Sequence, residues 1–116
     1  MTEINLNKKK FITIGNESGL SSNETAFHYF QKENVITGKY FGGAIVDGQI
    51  VGKRLKNNKL ELLFQCLTTT GELKVGQSCG EITLNEKGEI QLSFDWVWLN
   101  GDKSGGKSYY NELGEN

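Results

Sequence analysis

The sequence of 116 residues contains no proline, although it contains 15 glycines. No turn in the chain therefore uses a φ angle that a pyrrolidine ring has fixed. The turns depend instead on residues that accept a positive φ angle, chiefly glycine, asparagine and aspartate, and these residues favour the tight turns of β-hairpins. The missing proline and the abundant glycine together indicate a chain with many hairpins.

Cysteine and histidine are scarce, since the chain has two cysteines and one histidine. Small secreted domains that rely on disulfides usually carry at least four cysteines, so Cys66 and Cys79 are expected to be free thiols. One histidine is too few for the usual clusters of metal ligands. The strand pattern described below places His28 and Cys66 on opposite faces of a sheet, which excludes a catalytic Cys/His pair. We expect no metal site, no cofactor and no catalytic residues.

Neither sign of charge predominates, and no long apolar run is present. The chain has 13 basic and 14 acidic side chains, and its formal net charge is −1. A nucleic-acid-binding surface needs a basic stripe, and a membrane-spanning helix needs about 18 or more consecutive apolar residues. The first ten residues carry charges where a signal peptide needs an apolar segment. We expect a soluble, cytoplasmic protein that binds neither nucleic acid nor a membrane.

Turn signals recur roughly every ten to fifteen residues, a spacing typical of an all-β sandwich or barrel. The segments between them are rich in valine, isoleucine, threonine and aromatic residues, and none has the periodicity of a helix. We predict one domain over residues 1–116, with residues 1–9 flexible. Its strands are predicted at about 10–15, 24–32, 35–46, 49–56, 59–68, 72–83, 89–99 and 107–113. Because short loops join consecutive strands, the predicted fold is an eight-stranded antiparallel up-and-down β-barrel.

Two-residue turns determine which residues face each other across neighbouring strands. A turn at 33–34 places His28 outside, beside Lys39. The inward pairs of that hairpin are then Phe27 with Tyr40, Tyr29 with Gly38, and Gln31 with Ile36.

The next two hairpins follow from turns predicted at Asp47-Gly48 and at residues 57–58. The second of these turns places Val51 opposite Phe64 on the inner face. The outer face then carries Arg54 opposite Glu61 as an ion pair, and Ile50 opposite Gln65. The glycine pair Gly42-Gly43 falls inside the third predicted strand, where it indicates a bulge or a sharp bend.

The seventh strand, EIQLSFDWVWL, shows the clearest alternation of apolar and polar residues in the sequence. Its apolar side faces the barrel interior, together with the aromatic residues of the earlier strands. The residues expected to contact a ligand there are Phe27, Tyr29, Gln31, Tyr40, Phe64, Phe94, Trp96 and Trp98. An eight-stranded barrel is just wide enough to be filled by side chains or to hold one small ligand.

Two functions are consistent with this interior. The barrel either binds a small, partly apolar molecule, with the polar segment at residues 16–23 capping its mouth, or it is filled and has a structural role. In the second case the chain could associate with itself through outward apolar residues such as Phe30, Phe41 and Leu63.

The stretch GDKSGGKS at residues 101–108 satisfies the pattern of a phosphate-binding loop. Such a loop needs a following helix, whose N-terminus faces the phosphate. The residues after it leave no room for that helix. We therefore predict a hairpin loop between strands seven and eight, in which Asp102 and Ser104 bond the loop's own backbone and Lys107 faces solvent.

Four stretches of the sequence resemble a family of small bacterial proteins that is found especially among Bacteroidetes and is often labelled N-acetylglutamate synthase. The stretches are SSNETAFHY, KYFGGAIVDGQIVG, TGELKVGQS and WVWLNGDKSGGKS, and the resemblance covers nearly the whole chain after residue 10. A Tyr-His pair is common in the family where this chain has Phe64-Gln65. The resemblance implies a lipocalin- or avidin-like barrel.

The enzymatic label of that family implies acetyl-CoA chemistry. An acetyltransferase of this type needs an α/β scaffold and a glycine-containing loop before a helix. The stretch from Gln49 to Arg54 approaches the spelling of that loop, but it ends in arginine and lies inside a predicted strand. We therefore interpret the label as a mistaken transfer and expect no such activity.

Overall fold

The structure is a computed structural model that describes residues 4–16 and 24–113. In these ranges the chain forms a closed barrel of eight antiparallel strands, in which each strand pairs with the next and the last pairs with the first. The strands are β1 (Lys9–Asn16), β2 (Ala26–Lys32), β3 (Val35–Gly42), β4 (Ile45–Leu55), β5 (Lys59–Thr68), β6 (Leu73–Leu84), β7 (Ile90–Trp98) and β8 (Gly105–Glu112). The predicted fold is confirmed. None of the described residues forms a helix that is long and apolar enough to cross a membrane.

The register of the β2–β3 hairpin agrees with the sequence pattern. Tyr40 lies opposite Phe27 and Gly38 lies opposite Tyr29, while His28 faces outward beside Lys39. The alternation predicted for β7 is also confirmed, since its five inward side chains are all buried: Ile90, Leu92, Phe94, Trp96 and Trp98.

The turn between β3 and β4 differs from the prediction. It lies at residues 43–44, and β4 runs without interruption through Asp47 and Gly48. Gly42 and Gly43 both have positive φ angles, of 113° and 61°. A Cβ atom on Gly42 would lie 2.1 Å from the carbonyl oxygen of Glu24, so this position admits only glycine. Gly42 therefore ends β3 at a register shift of the β3–β4 ladder between Tyr40 and Gly42, and Gly43 lies in the turn. The bulge predicted at the glycine pair is thus present beside a turn, whereas the turn predicted at Asp47-Gly48 is wrong.

The predicted register of the β4–β5 hairpin is also wrong, by one residue. The loop holds three residues, 56–58, instead of two, because Leu55 pairs with Lys59. A shift of one residue exchanges the two faces of a strand. Val51 accordingly lies outside and is 55% exposed, whereas Arg54 lies inside and is 4% exposed.

The outward pairs of this hairpin change in the same way. Val51 lies opposite Leu63, not Phe64. The ion pair of Glu61 is formed with Lys53, at 3.4 Å, and not with Arg54. The longer loop is possible because Asn57 and Asn58 adopt positive φ angles, of 62° and 59°, which asparagine accepts more readily than most residues.

One end of the barrel, which carries the β2–β3 and β4–β5 turns, is closed by the residues before β1. Leu6 is fully buried, and its backbone N–H donates to Oε1 of Gln31 at 3.0 Å. The guanidinium group of Arg54 donates to the carbonyl oxygen of Ile4 and to Oδ1 of Asn58. Residues 4–8, which the sequence placed in a flexible segment, thus pack across this end, and Arg54 lies inside the barrel because these oxygens accept its N–H groups.

Aromatic rings inside the barrel lie over glycines of the neighbouring strand. A Cβ atom on Gly48 would lie 2.5 Å from the ring of Tyr40, and one on Gly80 would lie 2.2 Å from the ring of Phe94. The interior of an eight-stranded barrel is narrow, and large and small residues commonly alternate in it. The inward glycines provide the room that the rings occupy.

Substitution of Gly80 by alanine is expected to destabilise the barrel by about 2 kcal/mol, because the added methyl group overpacks the interior. The free energy of unfolding in denaturant measures the loss. The same substitution in a Phe94→Leu background, where the ring is absent, should cost less, and the remaining loss reflects the carbonyl oxygen of Ser93, which lies 2.8 Å from the added Cβ. Equal losses in the two backgrounds would show that the ring does not require the glycine.

Candidate functional site

The barrel encloses a cavity between the closed end and the opposite end, which carries the β3–β4 and β5–β6 turns. Its volume is about 70 Å³, whereas a single water needs about 10–15 Å³ by a comparable measure. The lining residues are Phe27, Tyr29, Tyr40, Ile45, Ile50, Leu62, Phe64, Cys66, Ser78, Phe94, Trp96, Trp98, Ser108 and Tyr110. None of these side chains is an acid, a lysine, an arginine or a histidine.

Of the eight residues expected to contact a ligand, seven line this cavity: Phe27, Tyr29, Tyr40, Phe64, Phe94, Trp96 and Trp98. The eighth, Gln31, does not. It lies farther along β2, toward the closed end, where its side chain accepts from the Leu6 N–H and donates to the carbonyl oxygen of Glu33 at 2.9 Å. Gln31 therefore holds the closed end together and is outside the cavity.

The aromatic walls are held by ring contacts on two sides of the cavity. Phe27 stacks on Tyr40 with ring centroids 5.0 Å apart, and the rings of Phe27 and Tyr110 meet edge to face with centroids 4.8 Å apart. Trp96 and Trp98 meet at 5.3 Å with their ring planes at 63°. Contacts of this geometry stabilise aromatic pairs beyond the area that they bury, so the walls are preformed.

Two polar atoms in the wall are buried and lack a conventional partner. Among the described residues, nothing accepts a hydrogen bond from Nε1 of Trp96, and no oxygen or nitrogen atom bonds the hydroxyl of Tyr40. The Tyr40 hydroxyl forms a hydrogen bond with the thiol of Cys66, but a thiol is a weak donor and a weak acceptor. Buried polar groups normally have partners, so these two are available to an occupant of the cavity.

The titratable groups of the wall are neutral at physiological pH. Burial raises the pKa of the Tyr29 hydroxyl well above its ordinary value, with a smaller contribution from nearby Tyr110. Burial also raises the pKa of Tyr40 and that of Cys66. The cavity therefore presents aromatic faces and neutral polar groups to whatever enters it.

Sequence reasoning missed several lining residues, and most of them follow from signals that were present. Ser108 and Tyr110 are two residues apart on β8 and therefore share a face of that strand. Cys66 is likewise two residues from Phe64 on β5 and shares its face. Ser78 faces Trp96 across β6 and β7. Two others were missed for different reasons, because Ile50 was assigned to the outer face by the wrong register and Ile45 lies at the misplaced turn. Leu62 also lines the cavity, two residues before Phe64 on β5.

The open end carries polar groups around the aromatic wall. Nζ of Lys74 lies 4.6 Å from the ring centroid of Trp98, and the side chain of Asn100 bonds the backbone of Leu73 and Val75. A surface depression of about 410 Å³ adjoins the cavity here and shares Cys66 with it. Of the segment predicted to cap the mouth, residues 16–23, only Asn16 is described, as the last residue of β1, and residues 17–23 lie outside the described residues.

The first half of the stretch that resembles a phosphate-binding loop, residues 101–104, lies in the β7–β8 connection as predicted, and the second half, residues 105–108, begins β8. The carboxylate of Asp102 accepts from the backbone N–H and the hydroxyl of Ser104, at 3.0 and 2.9 Å, and these bonds lower the pKa of Asp102. Lys107 lies on β8, faces solvent and approaches Asp95 at 3.9 Å. The glycines thus belong to a hairpin. Within residues 4–16 and 24–113, no three His, Cys, Asp or Glu side chains are grouped so that they could hold a metal ion.

Residues 4–113 match the family of avidin-like proteins, and the chain belongs to that family. Among solved structures, apo shwanavidin is similar in fold in two crystal forms. The P21 form matches with a TM-score of 0.63 and 12% identity, over 98% of this chain and 100% of that chain, and the P1 form with 0.62 and 12%, over 97% and 98%. The comparison with curated proteins gives no match. The avidin-like fold implied by the sequence resemblance is confirmed.

The two thiols are expected to react with a water-soluble disulfide reagent in two phases, of one thiol each. Cys79 is exposed, whereas Cys66 is buried and burial raises the pKa of its thiol, which lowers the fraction of reactive thiolate. The second phase should be at least about tenfold slower. Cys79→Ser should remove the fast phase and Cys66→Ser the slow one. Reaction of both thiols at one rate would contradict this assignment, and so would the detection of no thiol.

Proposed function

We propose that this protein binds a small, partly apolar molecule inside the barrel. The observation that carries the proposal is the cavity itself, which is preformed, lined by aromatic rings and larger than a water. Two buried polar atoms without conventional partners, on Tyr40 and Trp96, support it further, because a filled structural core normally pairs such groups. Membership of the avidin-like family is consistent with a ligand in the barrel.

A screen of a metabolite library that includes biotin tests this function, with thermal unfolding and tryptophan fluorescence as the two measurements. A ligand at a hundred times its Kd adds about 2.7 kcal/mol of stability. This increment should raise the Tm by about 5 °C or more in a domain of this size. Trp96 and Trp98 line the cavity, so the same ligand should change the fluorescence.

Matched variants locate the binding in the cavity. Ser78 is buried and lines the cavity, so Ser78→Leu should fill part of it and weaken binding about tenfold or more. Ser93→Leu adds the same side chain to the outer face of β7 and should leave binding intact. The proposal fails if no compound shifts either signal, or if both variants bind equally well.

We further propose that the acetyl-CoA activity implied by the sequence resemblance does not apply to this chain. The stretch from Gln49 to Arg54, which approaches the spelling of a CoA loop, forms the middle of β4 and is not followed by a helix. Its backbone N–H and C=O groups belong to the ladders with β3 and β5 and are not free to bind a pyrophosphate.

A second candidate role, self-association, is favoured by an apolar row on the outside of the barrel. Val51 and Leu63 face each other across β4 and β5 and are 55% and 51% exposed. Thr37 connects them to Phe30, which is 45% exposed. Apolar side chains that are contiguous across several strands are typical of a surface that contacts another protein, and a second copy of the chain would cover it symmetrically.

Leu63→Lys is expected to convert an associated form into monomers, because it places a charge at the centre of this row. The mass in solution, measured by light scattering after size exclusion, reports the change. Leu84→Lys introduces the same charge at another exposed apolar residue, outside the row, and should leave the mass unchanged. A monomeric parent protein at high concentration would eliminate this role.

A further inference from the structure

The indole nitrogen of Trp96 lacks a partner in the cavity wall. Trp96 is 8% exposed, and no described residue accepts a hydrogen bond from its Nε1–H. Its cross-strand neighbours are Ser78 on β6 and Gly106 on β8. An indole N–H can donate but cannot accept, so the group that completes it must be an acceptor.

The rest of the wall determines the charge of an occupant. All 14 lining side chains are neutral, and the burial that raises the pKa of Tyr40 and Cys66 keeps them so. An ion in such a cavity would lose its hydration without gaining an opposite charge, and the free-energy cost of that dehydration is large. A neutral acceptor loses less hydration free energy than an ion, and it can accept a hydrogen bond from the wall in place of the one it made with water.

We propose that the cavity selects uncharged molecules that carry a hydrogen-bond acceptor, such as a carbonyl oxygen, and that this acceptor binds the Trp96 indole N–H. The inference rests on the proposed function, since it names the chemistry of the ligand for the same cavity. The hydroxyl of Tyr40 is a second buried group that can donate to the ligand, because its polar neighbour is the weakly bonding thiol of Cys66.

Two probes of equal shape test the acceptor. Cyclopentanone and methylenecyclopentane differ in whether an oxygen atom or a CH₂ group projects from the ring, and both are small and uncharged. Each is titrated into the ¹⁵N-labelled protein while the two indole N–H signals are followed. Cyclopentanone is expected to move the Trp96 signal downfield as the cavity fills, as a new hydrogen bond does. Methylenecyclopentane is expected to perturb the cavity signals without that downfield shift.

Substitution of each tryptophan in turn then shows which indole N–H causes the preference for the ketone over the alkene. Trp96→Phe keeps an aromatic ring and removes the N–H, so the preference for the ketone over the alkene should fall about threefold to tenfold, the contribution of one neutral hydrogen bond. Trp98→Phe removes the other indole of the same wall and should change the affinity for both probes alike, which leaves their ratio as it is in the parent. The ratio cancels any general loss of packing in either variant.

The outcomes separate this inference from the proposed function. If the ratio is the same in the parent and in Trp96→Phe, the acceptor site is wrong, while the binding of both probes still supports a ligand cavity. If Trp96→Phe does not fold, the parent protein decides, because saturation with cyclopentanone without a downfield shift of the Trp96 signal overturns the inference. If neither probe perturbs any cavity signal at its solubility limit, the inference and the proposed function both fail.

Discussion

Each of several aromatic rings inside this barrel lies against a glycine on the neighbouring strand, and the interior depends on this contact. The rings of Tyr40 and Phe94 occupy the positions where Cβ atoms of Gly48 and Gly80 would otherwise project. Eight strands enclose a space that side chains can just fill. Two bulky residues on adjacent strands at one level would therefore compete for the same volume, and a ring beside a glycine avoids that competition.

The cavity follows from the same arrangement. Rings held against glycines leave space toward the barrel axis, and the ring contacts between Phe27 and Tyr40 and between Trp96 and Trp98 keep that space open. The two ends of the barrel differ, because Leu6 and the groups bonded to Arg54 close one of them. The cavity is therefore shut off at the end that carries Leu6, whereas toward the other end it adjoins a surface depression.

The strand pattern was sufficient for the fold class, for the β2–β3 hairpin and for seven of the eight expected cavity residues. It failed where a strand is apolar on both faces. In β4, Val51 is outside and Ile50 is inside, so alternation alone does not choose between them. Arg54 favoured the wrong choice, because a buried arginine is rare unless backbone and side-chain oxygens surround it. Those oxygens belong to Ile4, before β1, and to Asn58, in the β4–β5 loop. The alternation of apolar and polar residues within the strands does not predict how these two segments pack.

The glycines carried information that hydrophobicity did not. Gly48 and Gly52 are four residues apart in β4 and share a face, and Gly76 and Gly80 repeat that spacing in β6. Since glycine inside a strand marks close approach of another group, both pairs indicate the face that receives the rings. Taken with the aromatic residues of β3, β5 and β7, this spacing assigns Ile50 to the interior and Val51 to the surface. The inward glycines, which make room for the aromatic rings, therefore also indicate the register of the strands around the cavity.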